Sequence, residues 1–185
     1  FIDSNDISFL CLSDTIACPS LTAFYATAVE YAVNNNIPVL VDMDNEALSL
    51  ALEKGPDIIK PNSEEYTALT GKDFTSADYK PALRELSKKG IKHPIISLGK
   101  EGAVFIADGK AFHGKIDGVN YVSAVGCGDS FIGGLIYGNE NALPWKECLK
   151  WAIAAGAANC EKWQAARLNF DDIKNKLGKV TFTEI

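Results

Sequence analysis

The chain has 185 residues, a hydrophobic content of 47% and a formal net charge of −6. That length makes one domain the default, with enough apolar residues for a sizeable core. The acidic balance argues against nucleic acid or an anionic membrane as the main partner. Small anionic ligands stay open, because a local nest of N–H groups binds phosphate even on an acidic protein.

In chain order, residues 7–12 read as a strand and 21–34 as a helix with Ser20 as its cap. Residues 37–42 form a β-branched run ending in Asp42, and 46–53 a helix closed by Gly55-Pro56. A very short strand, 57–60, leads into Pro61-Asn62, and a helix over 63–70 stops at Gly71. Another helix, 78–89, stops at Gly90. Strands follow at 94–98 and 103–107, joined through Gly99-Lys100-Glu101-Gly102. Asp108-Gly109 is a hairpin turn with 110–113 returning from it. Helices are expected over 128–137, 145–163 and 170–177, and a last strand over 180–184. No apolar run approaches the roughly 18 residues of a membrane span. Phe1-Ile2-Asp3-Ser4 has no basic leader region.

Alternating strands and helices with continuously apolar strands predict an α/β fold, a mainly parallel sheet covered by helices on both faces. The whole of 1–185 reads as one such domain that starts in the middle of a fold. In such sheets ligands bind beyond the carboxyl ends of the strands. Asp42, Lys60-Pro61-Asn62, Gly99 and the loop before residue 128 all follow strands and are expected along one edge.

The five cysteines are Cys11, Cys18, Cys127, Cys148 and Cys160, an odd count with no C-x-x-C pair. That pattern fits reduced thiols in a cytoplasmic protein rather than disulfides or zinc. His93 and His113 stand in unrelated contexts, so no direct protein ligand to a metal is expected.

Four segments carry candidate chemistry. In Ser123-Ala124-Val125-Gly126-Cys127-Gly128-Asp129-Ser130, two glycines flank a small residue just before a helix. Helix starts offer unpaired N–H groups and the positive end of the dipole, a seat for phosphate. Asp129 is there either a base or a helix cap. No G-x-x-x-x-G-K-[ST] run occurs, and Phe131 occupies the third glycine position of G-x-G-x-x-G, so neither common nucleotide motif fits. Asn62 and Glu65 are three apart at a helix start, suited to organising hydrated magnesium or to closing a capping box. Ser97-Leu98-Gly99-Lys100-Glu101-Gly102 is a backbone approach to a nucleotide or an ordinary tight turn. The small residues up to Asn159 pack against the sheet or leave room for a flat base.

Taken in order, Asp-Ile-Ile-Lys-Pro-Asn-x-x-Glu, Ser-Leu-Gly-x-x-Gly-Ala and Val-Gly-x-Gly-Asp-Ser resemble the PfkB (ribokinase-like) family of sugar kinases. Lys60-Pro61-Asn62, Ser123-Ala124-Val125-Gly126 and the Val180-Thr181-Phe182-Thr183-Glu184-Ile185 ending are similar to the branch with 1-phosphofructokinase and tagatose-6-phosphate kinase. The resemblance covers nearly the whole chain. It implies Asp129 as the catalytic base and Gly126, Cys127 and Gly128 as the anion hole. It further implies Ser97, Gly99, Gly102, Val125 and Asn159 beside the nucleotide, and Asn62 and Glu65 organising magnesium and the phosphates. ATP and magnesium are the implied co-reactants, and the acceptor is a sugar phosphate, giving a bisphosphate and ADP. A homodimer is open for the complete protein.

Three departures accompany the resemblance. Cys127 replaces the usual Ala or Ser, and its oxidation would block phosphate binding. Ser13-Asp14-Thr15-Ile16-Ala17-Cys18-Pro19 stands where the branch has Ser-Gly-Ser-Leu-Pro-x-Gly, near the sugar site in relatives. The family's N-terminal portion, with its sugar-binding motif, further strands and lid, precedes the point matched by Phe1. A non-catalytic relative that binds nucleotide or a partner is the alternative these departures favour. A kinase for a nucleoside or vitamin precursor fits the loop but not the Lys60-Pro61-Asn62 context.

Overall fold

The computed structural model describes residues 7–14, 21–43 and 45–185. The expectations at residues 1–4, at 15–19 with Cys18 among them, and at Ser20 lie outside the described residues. The chain, read from its sequence as one domain, clusters into two compact units: Phe1–Ser97 with Val104–Ile106, and Leu98–Ala103 with Ala107–Ile185.

The first unit alternates β1 (Leu10–Asp14), α1 (Thr22–Asn34), β2 (Val39–Met43), α2 (Asn45–Leu52), β3 (Ile58–Ile59), α3 (Ser63–Thr70), α4 (Tyr79–Lys88) and β4 (His93–Ser97). Its strands pair in parallel in chain order, with Leu10 opposite Val39, Val41 opposite Ile59 and Ile58 opposite His93. Val39, Leu40, Val41, Ile59, Ile95 and Ile96 are wholly excluded from solvent. Such runs, apolar on both faces, are what a strand covered on both sides requires. Burying each of these side chains contributes about 1.5–3 kcal/mol. Ala82, Leu83 and Leu86 form the buried stripe of α4 at helical spacing. β1 starts at Leu10 rather than at residue 7, because pairing with β2 begins there and the Leu10 N–H donates to the Pro38 carbonyl.

The second unit holds β6 (Lys110–Ile116), α5 (Cys127–Glu140), α6 (Trp145–Cys160), α7 (Phe170–Leu177) and β7 (Val180–Glu184); β5 (Ala103–Ala107) contributes only its ends. β6 and β7 are antiparallel, from Phe112 opposite Glu184 to Ile116 opposite Val180. That pairing carries β6 three residues past the expected end. The mainly parallel arrangement thus holds through β1–β4 and gives way to antiparallel pairing here, in a mixed α/β fold. Asp108 and Gly109 both take positive φ, 51° and 74°, as a type I′ turn demands. α5 and α6 pack backbone to backbone: a Cβ on Gly134 would stand 2.5 Å from the Trp151 carbonyl oxygen. Among the described residues no helix is long and apolar enough to cross a membrane.

α6 ends three residues earlier than its composition suggests. The Cys160 carbonyl, which would accept the next helical bond, instead accepts from the N–H groups of Val122 (2.7 Å) and Ser123 (3.1 Å). The Asn159 carbonyl accepts from Lys162 in a tighter turn. The segment that captures the helix end is the start of the glycine loop.

Candidate functional site

In the first unit, Asn62 caps α3 in full. Its Oδ1 accepts from the N–H groups of Glu64 and Glu65, both at 2.9 Å. Its own N–H donates to Glu65 Oε2 (2.8 Å) and its Nδ2 to Glu65 Oε1 (2.7 Å). The reciprocal capping box is therefore real. Each Glu65 oxygen takes one bond from Asn62. Ser97 lies alongside: Asn62 and Ser97 form a parallel bridge, and the Ser97 N–H donates to the Pro61 carbonyl at 2.9 Å.

Beside them is a pair not singled out as a contact in the sequence. Lys60 Nζ lies 2.8 Å from Asp42 Oδ1, with both side chains largely withdrawn from water. The signal was present in the register. Val41 is opposite Ile59, so the next residues of the two parallel strands, Asp42 and Lys60, must be neighbours.

In the second unit, Gly99 and Gly102 bound a single 3₁₀ turn, and the Leu98 N–H donates to the Gly102 carbonyl. Gly102 has φ of 87°, and a Cβ there would overlap the Gly114 carbonyl oxygen, so no other residue fits. The Glu101 carbonyl lies 2.7 Å from His113 Nε2.

The glycine loop has a different design. Gly126, at φ 76°, is the N-cap of α5 and supplies no side-chain cap. Asp129 falls at the third helical position, so it is not the cap that its spacing allowed. The Cys127 N–H donates to Ala124 (3.2 Å) and the Ser130 N–H to Gly126 (2.9 Å). Between them, the N–H groups of Gly128 and Asp129 have no backbone acceptor among the described residues. The Asp129 carboxylate is exposed and makes no hydrogen bond or ion pair among the described residues. Next to it Ser130 Oγ is buried, without a hydrogen-bond partner among the described residues. Both residues line a cavity of about 300 Å³ whose far wall is the aromatic cluster of Tyr137, Trp151 and Phe170.

Asn159 is fully buried. Its Nδ2 donates to the Val125 carbonyl (2.7 Å) and to Cys127 Sγ (3.3 Å), and its Oδ1 accepts from the Ala166 N–H (2.7 Å). The structure thus gives Asn159 the work of hanging the glycine loop on α6, with its amide engaged by protein atoms. Val125, with 70% of its surface exposed, projects from the loop. Cys127 touches Cys160, Sγ to Sγ 2.6 Å. Burial, and the hydrogen bond with Cys127, push the Cys160 thiol up to about 12. Burial and the neighbouring Cys160, Cys127 and Glu101 also push the Tyr121 phenol up. The small residues before Asn159 are packing surface: a Cβ on Gly156 would stand 3.3 Å from the Cys127 carbonyl.

The site residues thus fall into two groups, one in each unit. Asn62, Glu65 and Ser97 meet in the first, with Asp42 and Lys60. Val125, Gly126, Cys127, Gly128, Asp129 and Asn159 meet in the second, where Gly99 and Gly102 occupy another turn. Ser130 and Cys160 were not among the expected site residues. Among the described residues no group of three or more His, Cys, Asp or Glu could hold a metal ion.

Comparison with known proteins places the chain in a family. The sequence pattern of the pfkB family of carbohydrate kinases matches residues 3–170. A 1-phosphofructokinase of Borreliella burgdorferi is 31% identical over 157 residues, which cover 83% of this chain and 50% of that protein. A 1-phosphofructokinase of Escherichia coli K12 is 39% identical over 120 residues, covering 64% of this chain and 38% of that protein. The crystal structure of phosphofructokinase-2 from Escherichia coli in complex with substrates and products superposes with a TM-score of 0.83 at 26% identity, covering 92% of this chain and 56% of that one. The chain spans about half the length, or less, of the curated relatives it matches. By its ordered motifs and by this match, the chain belongs to the pfkB family of carbohydrate kinases.

Proposed function

We propose that the chain carries the nucleotide-binding and proton-accepting part of an ATP-dependent sugar-phosphate kinase, with fructose 1-phosphate as the acceptor and tagatose 6-phosphate as the competing candidate. The observation that carries this reading is the first turn of α5. There an unpartnered Asp129 carboxylate and two N–H groups without backbone acceptors, among the described residues, lie within consecutive positions. Names of the relatives favour fructose 1-phosphate over the other acceptors.

Asp129 accepts the proton of the acceptor hydroxyl as its oxygen attacks the terminal phosphorus of ATP. The bond to the bridging oxygen breaks, and the products are a sugar bisphosphate and ADP. Of the expected anion hole of Gly126, Cys127 and Gly128, the Cys127 N–H donates to Ala124, so the N–H groups of Gly128 and Asp129, held by the left-handed Gly126, stabilise the charge on the transferring oxygens. Phosphoryl transfer asks the protein mainly for positioning and electrostatics, which rigid donors at a helix start provide. Gly99, Gly102 and Ser97 present backbone to the nucleotide, and Val125 an apolar surface. Asn159 acts on the nucleotide site through the loop it holds.

Bound magnesium would neutralise phosphate charge. The donor set fits an indirect role: Glu65 is a carboxylate fixed at the start of α3 by two bonds from Asn62, suited to organising the hydration shell of the ion rather than to binding it directly.

ADP release by the full chain, measured with fructose 1-phosphate, fructose 6-phosphate and tagatose 6-phosphate, tests the reading. Turnover is expected to be highest with fructose 1-phosphate. Binding of MgATP without turnover on any acceptor would establish the non-catalytic alternative, which the altered segment at residues 13–19 favours. Absence of both binding and turnover would remove the reading.

A further inference from the structure

Cys127 and Cys160 are 33 positions apart, yet their sulfurs are 2.6 Å apart. Cys127 is the first residue of α5 and half-buried; Cys160 is the last residue of α6 and buried. Both positions are fixed by the backbone. The Cys160 carbonyl holds Val122 and Ser123, and Asn159 beside it holds Val125 and touches Cys127 Sγ. The two thiols are thus brought together by the hydrogen bonds that shape the anion-binding loop. A disulfide needs about 2.05 Å between the sulfurs, so the two thiols are within reach of closure. Cys148, the other buried thiol of this unit, bonds instead to the Leu143 carbonyl.

We propose that Cys127 and Cys160 are a redox-active pair that closes to a disulfide under a hydroperoxide, and that the closed pair weakens phosphate binding at the loop. The second clause rests on the function proposed above; the first does not. Cys127 is the more accessible thiol and reacts first. Its sulfur attacks one peroxide oxygen, the O–O bond breaks, and with the thiol proton the leaving oxygen departs as water. The Cys160 sulfur then attacks the Cys127 sulfenic sulfur. The S–S bond forms, the S–O bond breaks, and the hydroxide leaves with the Cys160 proton as a second water. Two thiols lose two electrons to one peroxide. Cys160 takes the resolving role by position, its sulfur lying against that of Cys127. The bond draws Cys127 toward α6, and the adjacent Gly128 N–H leaves the position from which it would meet an anion.

The test treats the full chain with one equivalent of hydrogen peroxide, caps remaining thiols with N-ethylmaleimide, and maps peptides by mass. A Cys127–Cys160 cross-link about 2 Da lighter than its reduced peptides, restored by dithiothreitol, is expected. Cys160→Ala should give no cross-link and a dimedone-trappable sulfenic acid on Cys127, with unchanged nucleotide affinity before oxidation. Both cysteines capped after peroxide treatment, or cross-links spread over Cys11 and Cys148, would overturn the pair. Titration with MgADP by calorimetry then compares reduced and oxidised protein. A loss of tenfold or more in affinity on oxidation is expected, and equal affinity in the two forms would overturn the gate. A reduced chain that binds no MgADP counts against the kinase reading alone, because the peptide map decides the bond independently.

Discussion

The first turns of α3 and α5 are built from the same materials and used in opposite ways. At α3 an asparagine and a glutamate close on each other, and the cap takes up the helix's own donors. At α5 a glycine starts the helix without any side-chain cap, and the acid in the first turn faces solvent, unpartnered among the described residues. A cap on an exposed helix is worth about 1 kcal/mol of stability. Leaving it out has a cost, and what α5 gains is a set of N–H groups and a carboxylate free for a ligand. The contrast separates a helix start closed on itself from one left open, and substitutions at the two can break or sharpen the proposal that only the second serves chemistry.

The largest effect is expected at Asp129. Asp129→Asn keeps volume and hydrogen-bonding shape but cannot accept the acceptor's proton. Turnover should fall about a thousandfold, in the range a positioned general base contributes. MgATP affinity, measured by calorimetry, should stay within about threefold because the backbone donors remain. Turnover within tenfold of the unsubstituted chain would assign the proton to another group and collapse the contrast. The opposite response is expected in the first unit at Lys60. Lys60→Met leaves the withdrawn Asp42 carboxylate without the cation 2.8 Å away. Removing one member of a buried pair costs about 3–5 kcal/mol, to be read from urea unfolding. A loss under about 1 kcal/mol, the scale of an exposed ion pair, would show that Asp42 is better hydrated than its burial indicates.

Much of this was legible in the residues. The α/β class followed from alternating apolar strands and periodic helices, and α3 spans the expected residues. The spacing alone could not tell whether Asp129 is a cap; the structure answers that part, with Gly126 at the cap and Asp129 in the first turn. What stayed hidden depends on tertiary contact. Lys60 and Asp42 become neighbours only through strand register. Asn159 sits in a run that reads as helix packing, and its amide contacts lie 34 positions away at Val125 and 7 positions on at Ala166. The Cys127–Cys160 contact belongs to the same class, since an odd cysteine count with no C-x-x-C spacing gives no pairing signal. The division into two units and the antiparallel edge at β7 were likewise not written in local composition, because β6 and β7 pair across most of the second unit's length.

An intermediate effect is expected at Gly126. Gly126→Ala places a side chain in left-handed backbone and brings its Cβ to 3.0 Å from both the Ala165 Cβ and the Ala166 N. Left-handed strain of about 1–2 kcal/mol is expected, with crowding adding to it. The loop should shift, so MgATP affinity should fall together with thermal stability. A variant that loses stability but keeps full affinity would mean that the loop's backbone conformation does not set the anion site.

The smallest effect is expected at Asn62, and it is the closest probe of the contrast. Asn62→Ala removes the acceptor for two N–H groups and one donor to Glu65, while the main-chain N–H at that position can still bond Glu65 Oε2. The cap alone is worth about 0.5–2 kcal/mol. If α3 serves only the fold, the variant should lose about 1 kcal/mol in urea unfolding and keep its dependence of turnover on magnesium concentration. If Glu65 also organises the metal–phosphate charge, releasing its Oε1 frees the carboxylate to swing, and the magnesium concentration for half-maximal turnover should rise severalfold at equal stability loss. Asn62→Asp separates the two further. It keeps an acceptor for the helix N–H groups but sets a second carboxylate against Glu65, so a magnesium response in that variant with the cap retained locates the effect in charge rather than in helix stability.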